Sequence, residues 1–375
     1  MKFSVIIPLY NKAPYITTTV ESVLAQTFRD FEVIVVDDGS SDGGAELVEA
    51  IADPRVRLVR QANAGVSAAR NHAISLARGE WVAFLDADDW HHPRYLVTLV
   101  DVQNAWPQAD TVAADFVPLA HAEGLWPPCW PAIKNCPDVE LITDLPSRWM
   151  AGPCFFTSAV TVKTAQLQKM QPCFPVGESC GEDLDLWFRL AEHSPIALAR
   201  TPLVAYRLET EGCLTASHQT TSLRPFMQRM QARALSGCLS APQSRSLLRL
   251  VAQLKVTFAR QAIASGNRIE GLCWLLKGHY VVQSKRWWLT GVMVLFFPGH
   301  LIKEWERRHM GRTFTIPGRL ESVVVDKRPA QHRPIAQTAA VHPKGLHRIG
   351  NLKNGGGLVL ALDRLSQTPE FPFKN

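Results

Sequence analysis

Three aspartates within four residues, Asp86, Asp88 and Asp89, directly follow the apolar run 81–85. Carboxylate oxygens are hard ligands that suit Mg²⁺ or Mn²⁺, and one or two suffice when substrate phosphate oxygens complete the coordination. A helix N-cap needs only one side-chain oxygen, so capping does not account for all three carboxylates. The Asp-x-Asp pattern therefore indicates a divalent-cation site that binds a diphosphate.

A second acidic group, Asp37 and Asp38, follows another apolar run, residues 32–36. Unpartnered carboxylates at the end of a buried strand are costly because a desolvated charge is unfavourable. We therefore expect Asp38 to have a partner or a ligand. Residues 40–42 (SSD) carry the residue types of a helix N-cap, so capping stays open as their role.

A third acidic group, Glu182 and Asp183, opens a predicted helix over residues 182–193. The amino terminus of a helix stabilises carboxylates, so the pair could serve only that helix end. The alternative is a chemical role for this acidic group, and Asp185 is the competing candidate for that role.

Alternating apolar runs and helical periodicity place these groups in a common framework. A strand, helix, strand alternation implies a parallel sheet with right-handed crossovers, and ligands bind beyond the carboxyl ends of its strands. Both Asp38 and Asp86 then lie at that edge. The predicted strands are residues 3–9, 32–36, 56–59 and 81–85, and the predicted helices are residues 16–26, 46–51 and 65–78.

Several classes of site are absent from the sequence. It has no Walker-type glycine-rich loop, no Gly-x-Gly-x-x-Gly after the first strand and no Cys-x-x-Cys pair. Residues 9–14 also lack the glycine-rich basic loop expected of a nucleotidyltransferase. Phosphates would then be bound by metal and an occasional arginine rather than by backbone amides.

Five sequence blocks occur in a fixed order: residues 4–11 (SVIIPLYN), 35–42 (VVDDGSSD), 63–71 (NAGVSAARN), 79–89 (GEWVAFLDADD) and 181–190 (GEDLDLWFRL). With these blocks the chain resembles the family 2 glycosyltransferases. The resemblance covers about the first 210 residues and implies a GT-A fold, which is an α/β Rossmann-like, mostly parallel sheet wound with helices. It also implies inverting transfer of a sugar from a nucleotide-diphospho-sugar.

The resemblance assigns a nucleotide-binding side of the site. Asp38 resembles the carboxylate that accepts from the base edge, and Pro8, Tyr10 and Asn11 line the same pocket. Arg70 resembles the arginine on the nucleotide side of the donor. The base is usually uracil in this family, which implies a UDP-sugar.

The resemblance also assigns a reacting side. Asp86 is similar to a ribose or metal contact, Asp88 to the Mg²⁺ or Mn²⁺ ligand, and Asp183 to the general base. Such a displacement needs one base near the acceptor hydroxyl and a Lewis acid at the leaving diphosphate, but no covalent nucleophile. A catalytically silent nucleotide-sugar-binding scaffold is the alternative, although it has no need of all these carboxylates.

Charge divides the chain into two regions. Residues 1–220 hold 27 acidic and 16 basic side chains (−11), whereas residues 221–375 hold 7 and 24 (+17). We predict a catalytic domain at residues 1–220, a basic helical region at residues 221–315 and a poorly ordered tail at residues 316–375.

The basic region contains residues 285–308, where tryptophans stand beside lysine and arginine around a short apolar run. This composition is typical of a helix at a membrane interface, and burial within a C-terminal lobe is the alternative. We expect a cytoplasmic protein, peripheral on the inner face of the cell membrane. Its acceptor would be a saccharide or a lipid-linked saccharide in surface glycan assembly, and no nucleic-acid module is present.

Three further segments have weaker signals. Residues 126–131 (WPPCWP) could stack on a sugar or only pack, and the polar residues 209–222 could form a lid whose His218 reaches the metal. Residues 283–287 (QSKRW) match the Gln-x-x-Arg-Trp pattern of processive enzymes. They lie 100 residues after Asp183, so we interpret the match as coincidence and expect single addition.

Overall fold

The computed structural model describes residues 1–119, 130, 138–178, 180–207 and 223–296. The chain divides into two compact units, Met1–Glu321 and Ser322–Asn375, and every described residue belongs to the first. The predicted tail, residues 316–375, lies outside the described residues.

Within these ranges, the structure has nine strands: β1 (Phe3–Leu9), β2 (Phe31–Asp37), β3 (Val56–Arg60), β4 (Trp81–Phe84), β5 (Trp90–His91), β6 (Thr111–Leu119), β7 (Val139–Ile142), β8 (Val160–Lys163) and β9 (Ile196–Arg207). They form one sheet in the order β3-β2-β1-β4-β8-β6-β9-β5, with β7 paired to β9. The two halves of the sheet differ in direction: β1 to β4 run parallel, whereas β8 joins β4 and β6 antiparallel.

The parallel half confirms the predicted alternation. Each residue of β2 is buried, as β-branched runs covered by helices on both faces should be. Leu9 pairs with Asp37, and Ile6 pairs with Phe84, so the carboxyl ends of the three central strands meet at one edge. The loops that follow these strands carry the acidic groups.

The mixed half departs from the prediction. Residues 196–207 form the single strand β9, with register shifts opposite residues 114–116 of β6. Such irregularities bend a strand without ending its pairing. The short strands β5, β7 and β8 have too few residues for a periodic signal and lack the continuous apolar run of β4, so the sequence did not predict them.

In the described part of the chain, seven helices accompany the sheet and four follow it. The helices are α1 (Ala13–Leu24), α2 (Gly44–Glu49), α3 (Val66–Leu76), α4 (Tyr95–Ala105), α5 (Leu145–Met150), α6 (Thr164–Lys169), α7 (Glu182–Ala191), α8 (Pro225–Leu235), α9 (Ala241–Ala264), α10 (Arg268–Lys277) and α11 (Lys285–Phe296). Trp187 on α7 is completely buried and contacts Phe84 and Phe174 edge to face, at centroid distances of 5.3 Å and 6.2 Å.

Helix α9 is the axis of the helical region. A capping box between Ser240 and Gln243 starts it, and its apolar side chains Leu247 and Val251 join the core of the sheet domain. Its second half forms a separate apolar cluster with α10 and α11. In the part of the chain that the structure describes, we find no helix both long enough and apolar enough to span a bilayer.

Candidate functional site

The loops after β1 and β2 are joined by Asn11. Its backbone N–H donates to Ser40 Oγ at 3.0 Å, and its Oδ1 accepts from the Ser41 N–H at 2.9 Å. Asn11 has φ = 50°, a left-handed conformation that asparagine tolerates better than most residues. Pro8 lies partly buried in β1, and Tyr10 is exposed at the rim. Asn11 therefore shapes the edge at which all three residues lie.

Asp38 is buried and accepts three hydrogen bonds from within the chain. Its carboxylate accepts from Gln61 Nε2 at 2.8 Å and from the backbone N–H groups of Ala64 and Gly65 at 2.9 Å and 2.8 Å. Gly65 is the N-cap of α3, so Asp38 fixes the loop that leads into this helix. A carboxylate has about four acceptor sites, so contact with a base stays a prediction.

Arg70 on α3 connects two of the predicted acidic groups. Its Nη2 donates to Asp86 Oδ1 at 2.7 Å and its Nη1 donates to Glu182 Oε1 at 3.0 Å. The side chain is 5% exposed and lies over the ring of Phe174. Arg70 thus draws the end of β4 and the start of α7 together across 112 residues of sequence.

Burial and the neighbouring carboxylates shift the pKa of Arg70 in opposite directions. Burial alone would lower the pKa of Arg70, but Asp86, Glu182 and Asp183 raise it above its ordinary value, so the guanidinium stays charged. Burial raises the pKa of Glu182, and Arg70 opposes that shift. The arginine is a fixed positive charge between carboxylates.

Asp88 faces a lysine that the sequence did not single out. Lys12 Nζ lies 2.9 Å from Asp88 Oδ2, and both side chains are 17% exposed. Arg207, at the end of β9, donates from Nε to the Asp88 carbonyl oxygen at 3.2 Å and stacks over the rings of Tyr15 and Trp90. Two cations therefore adjoin the predicted metal ligand, where they could also contact phosphate.

The third aspartate of the triplet is structural. Asp89 is 1% exposed and accepts from Ser158 Oγ at 2.6 Å and from the Arg207 N–H at 3.0 Å. Burial, with the charges of Asp88 and Asp86, raises its pKa well above the ordinary value. Ser158 Oγ also accepts from the Asp86 N–H at 3.0 Å, so Ser158 ties the acidic loop to the segment before β8.

Asp183 lies in the first turn of α7, next to Glu182. Its Oδ2 accepts from Thr157 Oγ1 at 2.9 Å, and its Oδ1 from the Leu184 N–H at 2.8 Å. Thr157 adjoins Ser158, so the predicted base and the acidic loop share one support. No sequence signal pointed to either hydroxyl.

Asp185, the competing candidate, points elsewhere. It is 3% exposed and lies within 3.5 Å of three arginines, Arg189, Arg229 and Arg233. Two of these are on α8, so Asp185 joins the sheet domain to the helical region. A carboxylate buried under three guanidinium groups is out of reach of an acceptor hydroxyl, which leaves Asp183 as the better candidate.

The histidines after the triplet are held by the protein. His91 Nε2 contacts the Ser158 carbonyl oxygen at 2.8 Å, and the ring stacks on Tyr95. Burial lowers the pKa of His91 to about 4. His92 Nδ1 accepts from the Arg94 N–H at 3.0 Å, just before α4, and its ring meets Trp130 edge to face. Both histidines therefore have structural roles.

The donor set at the rim fits a hard cation only with help from a ligand. Among the described residues, no group of three or more histidine, cysteine, aspartate or glutamate side chains is arranged to hold a metal ion. Asp86 and Asp88 supply oxygen donors, and Mg²⁺ typically takes one or two carboxylates plus substrate phosphates. The residues therefore fit an ion that arrives with a diphosphate. His218, the lid at residues 209–222 and Trp126 lie outside the described residues.

The QSKRW pattern lies within the helical region. Arg286 Nη2 donates to Thr257 Oγ1 at 2.8 Å and Trp287 Nε1 donates to the Leu275 carbonyl oxygen at 2.9 Å. Both side chains tie α11 to α9 and α10, so the structure assigns them a packing role.

Comparison with known proteins points to one family. Residues 4–120 match the family model described as Glycosyl transferase family 2. The chain is 48% identical to the uncharacterized glycosyltransferase YibD of Escherichia coli over 101 residues, which are 26% of this chain and only 29% of YibD. It is 27% identical to the glycosyltransferase GlyG of Streptococcus pneumoniae over 296 residues, which are 75% of this chain and 97% of GlyG.

Solved structures show the same fold. S. aureus TarS residues 1–349, crystallised in complex with UDP-GlcNAc, superposes with a TM-score of 0.60 at 22% identity, covering 75% of this chain and 82% of that one. The same TarS fragment without that ligand gives a TM-score of 0.55. The predicted GT-A fold is therefore confirmed.

Proposed function

We propose, from the premise that residues 4–120 place this chain in glycosyltransferase family 2, that it transfers a sugar from a nucleotide-diphospho-sugar to a hydroxyl group. The acceptor is a saccharide or a lipid-linked saccharide, and the product belongs to a surface glycan. Transfer proceeds with inversion, in one displacement.

One observation carries the proposal: Arg70 joins Asp86 to Glu182, the neighbour of Asp183, while Asp88 lies in the same acidic loop as Asp86. The proposed donor-binding loop and the proposed base are thus held next to each other at the carboxyl edge of the sheet, where ligands of such sheets bind.

Asp183 is the proposed base. The Thr157 hydroxyl and the Leu184 N–H hold its two oxygens, which orients the carboxylate at the start of α7. A carboxylate fixed in this way takes the proton from the acceptor hydroxyl as the hydroxyl oxygen attacks the anomeric carbon.

The leaving diphosphate needs positive charge. Asp88, with Asp86, would hold Mg²⁺ or Mn²⁺, which supplies Lewis-acid stabilisation of the diphosphate when bound. Lys12 lies at the same place and adds a fixed cation, and Arg207 adds a second.

The nucleotide is proposed to be UDP. The support is the shared fold with TarS, whose crystal structure contains UDP-GlcNAc, together with the predicted pocket of Pro8, Tyr10, Asn11 and Asp38. A lipid-linked acceptor would place the enzyme at the cytoplasmic face of the cell membrane, which is the location we propose.

Thermal stabilisation by nucleotide-sugars, with and without Mn²⁺, tests the donor, because a ligand that binds the native state raises the melting temperature. We expect a UDP-sugar to stabilise the protein more with Mn²⁺ present, and release of UDP on addition of an acceptor. Stabilisation without any transfer or hydrolysis, across a panel of saccharide acceptors, would instead support a silent nucleotide-sugar-binding scaffold.

A further inference from the structure

Exposed apolar side chains are concentrated in the last segment of the described chain. Ten of the sixteen large hydrophobic side chains exposed in the described residues lie within 28 residues of α10, α11 and their connection. A folded protein rarely exposes a large contiguous apolar patch unless the patch binds something. The ten are Ile269, Leu272, Leu276, Tyr280, Val282, Trp288, Leu289, Val292, Leu295 and Phe296.

Helices α10 and α11 form an antiparallel hairpin. Trp287 Nε1 near the start of α11 donates to the Leu275 carbonyl oxygen near the end of α10, at 2.9 Å. Leu275 also packs over Gly291, and Met293 and Val294 are buried in the same apolar cluster. The inner face of the hairpin is therefore packed against α9.

The outer face is apolar by the same helical spacing. On α10, Ile269, Leu272 and Leu276 lie at i, i+3 and i+7, with exposures of 80%, 42% and 58%. On α11, Trp288 and Leu295 lie at i and i+7, with exposures of 61% and 63%. Spacings of three, four and seven place side chains on one side of a helix, so each helix has a buried face and an exposed apolar face.

The positive charge around the exposed apolar face indicates which kind of partner covers it. Described residues 223–296 carry eleven basic side chains and one acidic side chain, Glu270, and Lys277 and Lys285 are exposed beside the apolar face. A second copy would bring two basic surfaces together, and the chain's own continuation, residues 297–375, carries 13 basic and 6 acidic side chains. Like charges oppose both contacts, whereas an anionic lipid surface attracts the hairpin.

We propose that the outer face of the α10–α11 hairpin is a membrane-docking surface that inserts its apolar side chains at the interface of an anionic bilayer. Tryptophan and lysine border the apolar residues, as in helices that lie in the plane of a membrane. This surface would explain how the protein reaches the proposed membrane location. The inference rests on the proposed function only for that location, because binding to lipid requires no substrate.

Vesicle flotation of the full chain tests the surface, with phosphatidylcholine vesicles that contain or lack phosphatidylglycerol. We expect binding to the anionic vesicles that weakens as salt rises, because the Lys/Arg contribution is screened. The double variant Leu276→Glu/Leu295→Glu should lose about tenfold or more of the partitioning, since two apolar insertions are replaced by negative charge.

Leu235→Glu is the matched control. Leu235 lies on α8, outside the hairpin, and is 56% exposed, close to the 58% of Leu276. We expect this variant to bind vesicles like the unaltered protein. Equal binding by the hairpin variant and the control would overturn the proposal, as would the absence of binding to anionic vesicles.

Light scattering of the same proteins distinguishes the other occupant. A dimer that Leu276→Glu/Leu295→Glu converts to a monomer would assign the face to a second copy and overturn the proposal. Transfer to a soluble acceptor, measured in parallel, should be unchanged in the hairpin variant. A lack of transfer by the unaltered protein would contradict the proposed function and leave the vesicle result intact.

Discussion

The sheet domain and the helical region handle charge and apolar surface in opposite ways. At the rim of the sheet, carboxylates are drawn inward and paired, as Asp86 and Glu182 are by Arg70. In the helical region basic and apolar side chains are exposed next to each other, as Lys277 and Leu276 are on α10. Buried charge needs fixed partners, which suits a site for chemistry, whereas exposed apolar and basic groups suit docking.

The largest effect should come from the predicted base. Asp183→Asn keeps the hydrogen bond from Thr157 but removes the proton acceptor, so we expect transfer to fall about 10²–10⁴-fold. Calorimetry with UDP should show unchanged donor binding. Asp101→Asn, at an exposed position on α4, is the control, and retained transfer by Asp183→Asn would remove Asp183 from this role.

Replacing the buried Arg70 should lower the free energy of unfolding more than replacing the exposed Arg60. Arg70→Met leaves Asp86 and Glu182 without their cation, which should lower the free energy of unfolding by about 3–5 kcal/mol. Arg60→Met removes a guanidinium that is 48% exposed beside Glu46 and Glu49, and should cost about 0–1 kcal/mol. Urea denaturation measures both. Equal decreases in the free energy of unfolding would show that the buried ion pairs of Arg70 do not stabilise the fold.

His91 should make the sheet domain sensitive to acid. Because burial lowers its folded pKa to about 4 from 6.5, the neutral ring contributes stability that is present above pH 6.5 and is lost as pH falls towards 4. The loss over this range is roughly 3 kcal/mol for this group. The glutamine side chain introduced by His91→Gln can still donate to the Ser158 carbonyl oxygen but does not titrate.

Urea denaturation at several pH values compares His91→Gln with the unaltered protein. The variant should lose less stability between pH 6.5 and 4, because the proton uptake of His91 on unfolding is absent. Parallel curves would mean that burial of His91 does not drive the acid response.

The smallest difference between paired variants concerns the contact between the two regions. Gly181 precedes α7 with φ = 82°, and an added Cβ would clash with the Phe226 ring on α8. Gly237 has φ = 78° but nothing within 4 Å of an added Cβ. Backbone strain alone should make Gly237→Ala cost about 1 kcal/mol, whereas Gly181→Ala should cost about 2–4 kcal/mol because of the clash.

Thermal or urea unfolding of the two glycine variants gives the comparison directly. A similar loss in both would mean that Phe226 moves aside easily and that the contact between α7 and α8 is loose.

Sequence predicted the elements that depend on long apolar patterns. Strand β1 has the predicted bounds, and α3 lies within the predicted residues 65–78. Strands β5, β7 and β8 were missed because two to four residues give no period and, unlike β4, these strands are not continuous apolar runs bounded by turn residues. Antiparallel pairing in the second half of the sheet depends on long-range register, which no local pattern encodes.

For the site, the residue types in the sequence indicated the candidate residues, but the sequence did not indicate which side chains they contact. The positions of Asp86, Asp88 and Asp183 followed from their place after strands and at a helix start. That Arg70 binds Glu182, or that Lys12 faces Asp88, depends on contacts between residues 112 and 76 positions apart. Only the folded chain reveals such pairs.

Binding of UDP in the presence and absence of Mn²⁺, measured by calorimetry for the unaltered protein and for Asp88→Ala, tests the central claim most directly. The claim is that the acidic edge of the sheet holds a diphosphate through a divalent ion. We predict that Mn²⁺ strengthens UDP binding to the unaltered protein and has little effect on the variant. Equal strengthening in both proteins, or none in either, would contradict the account.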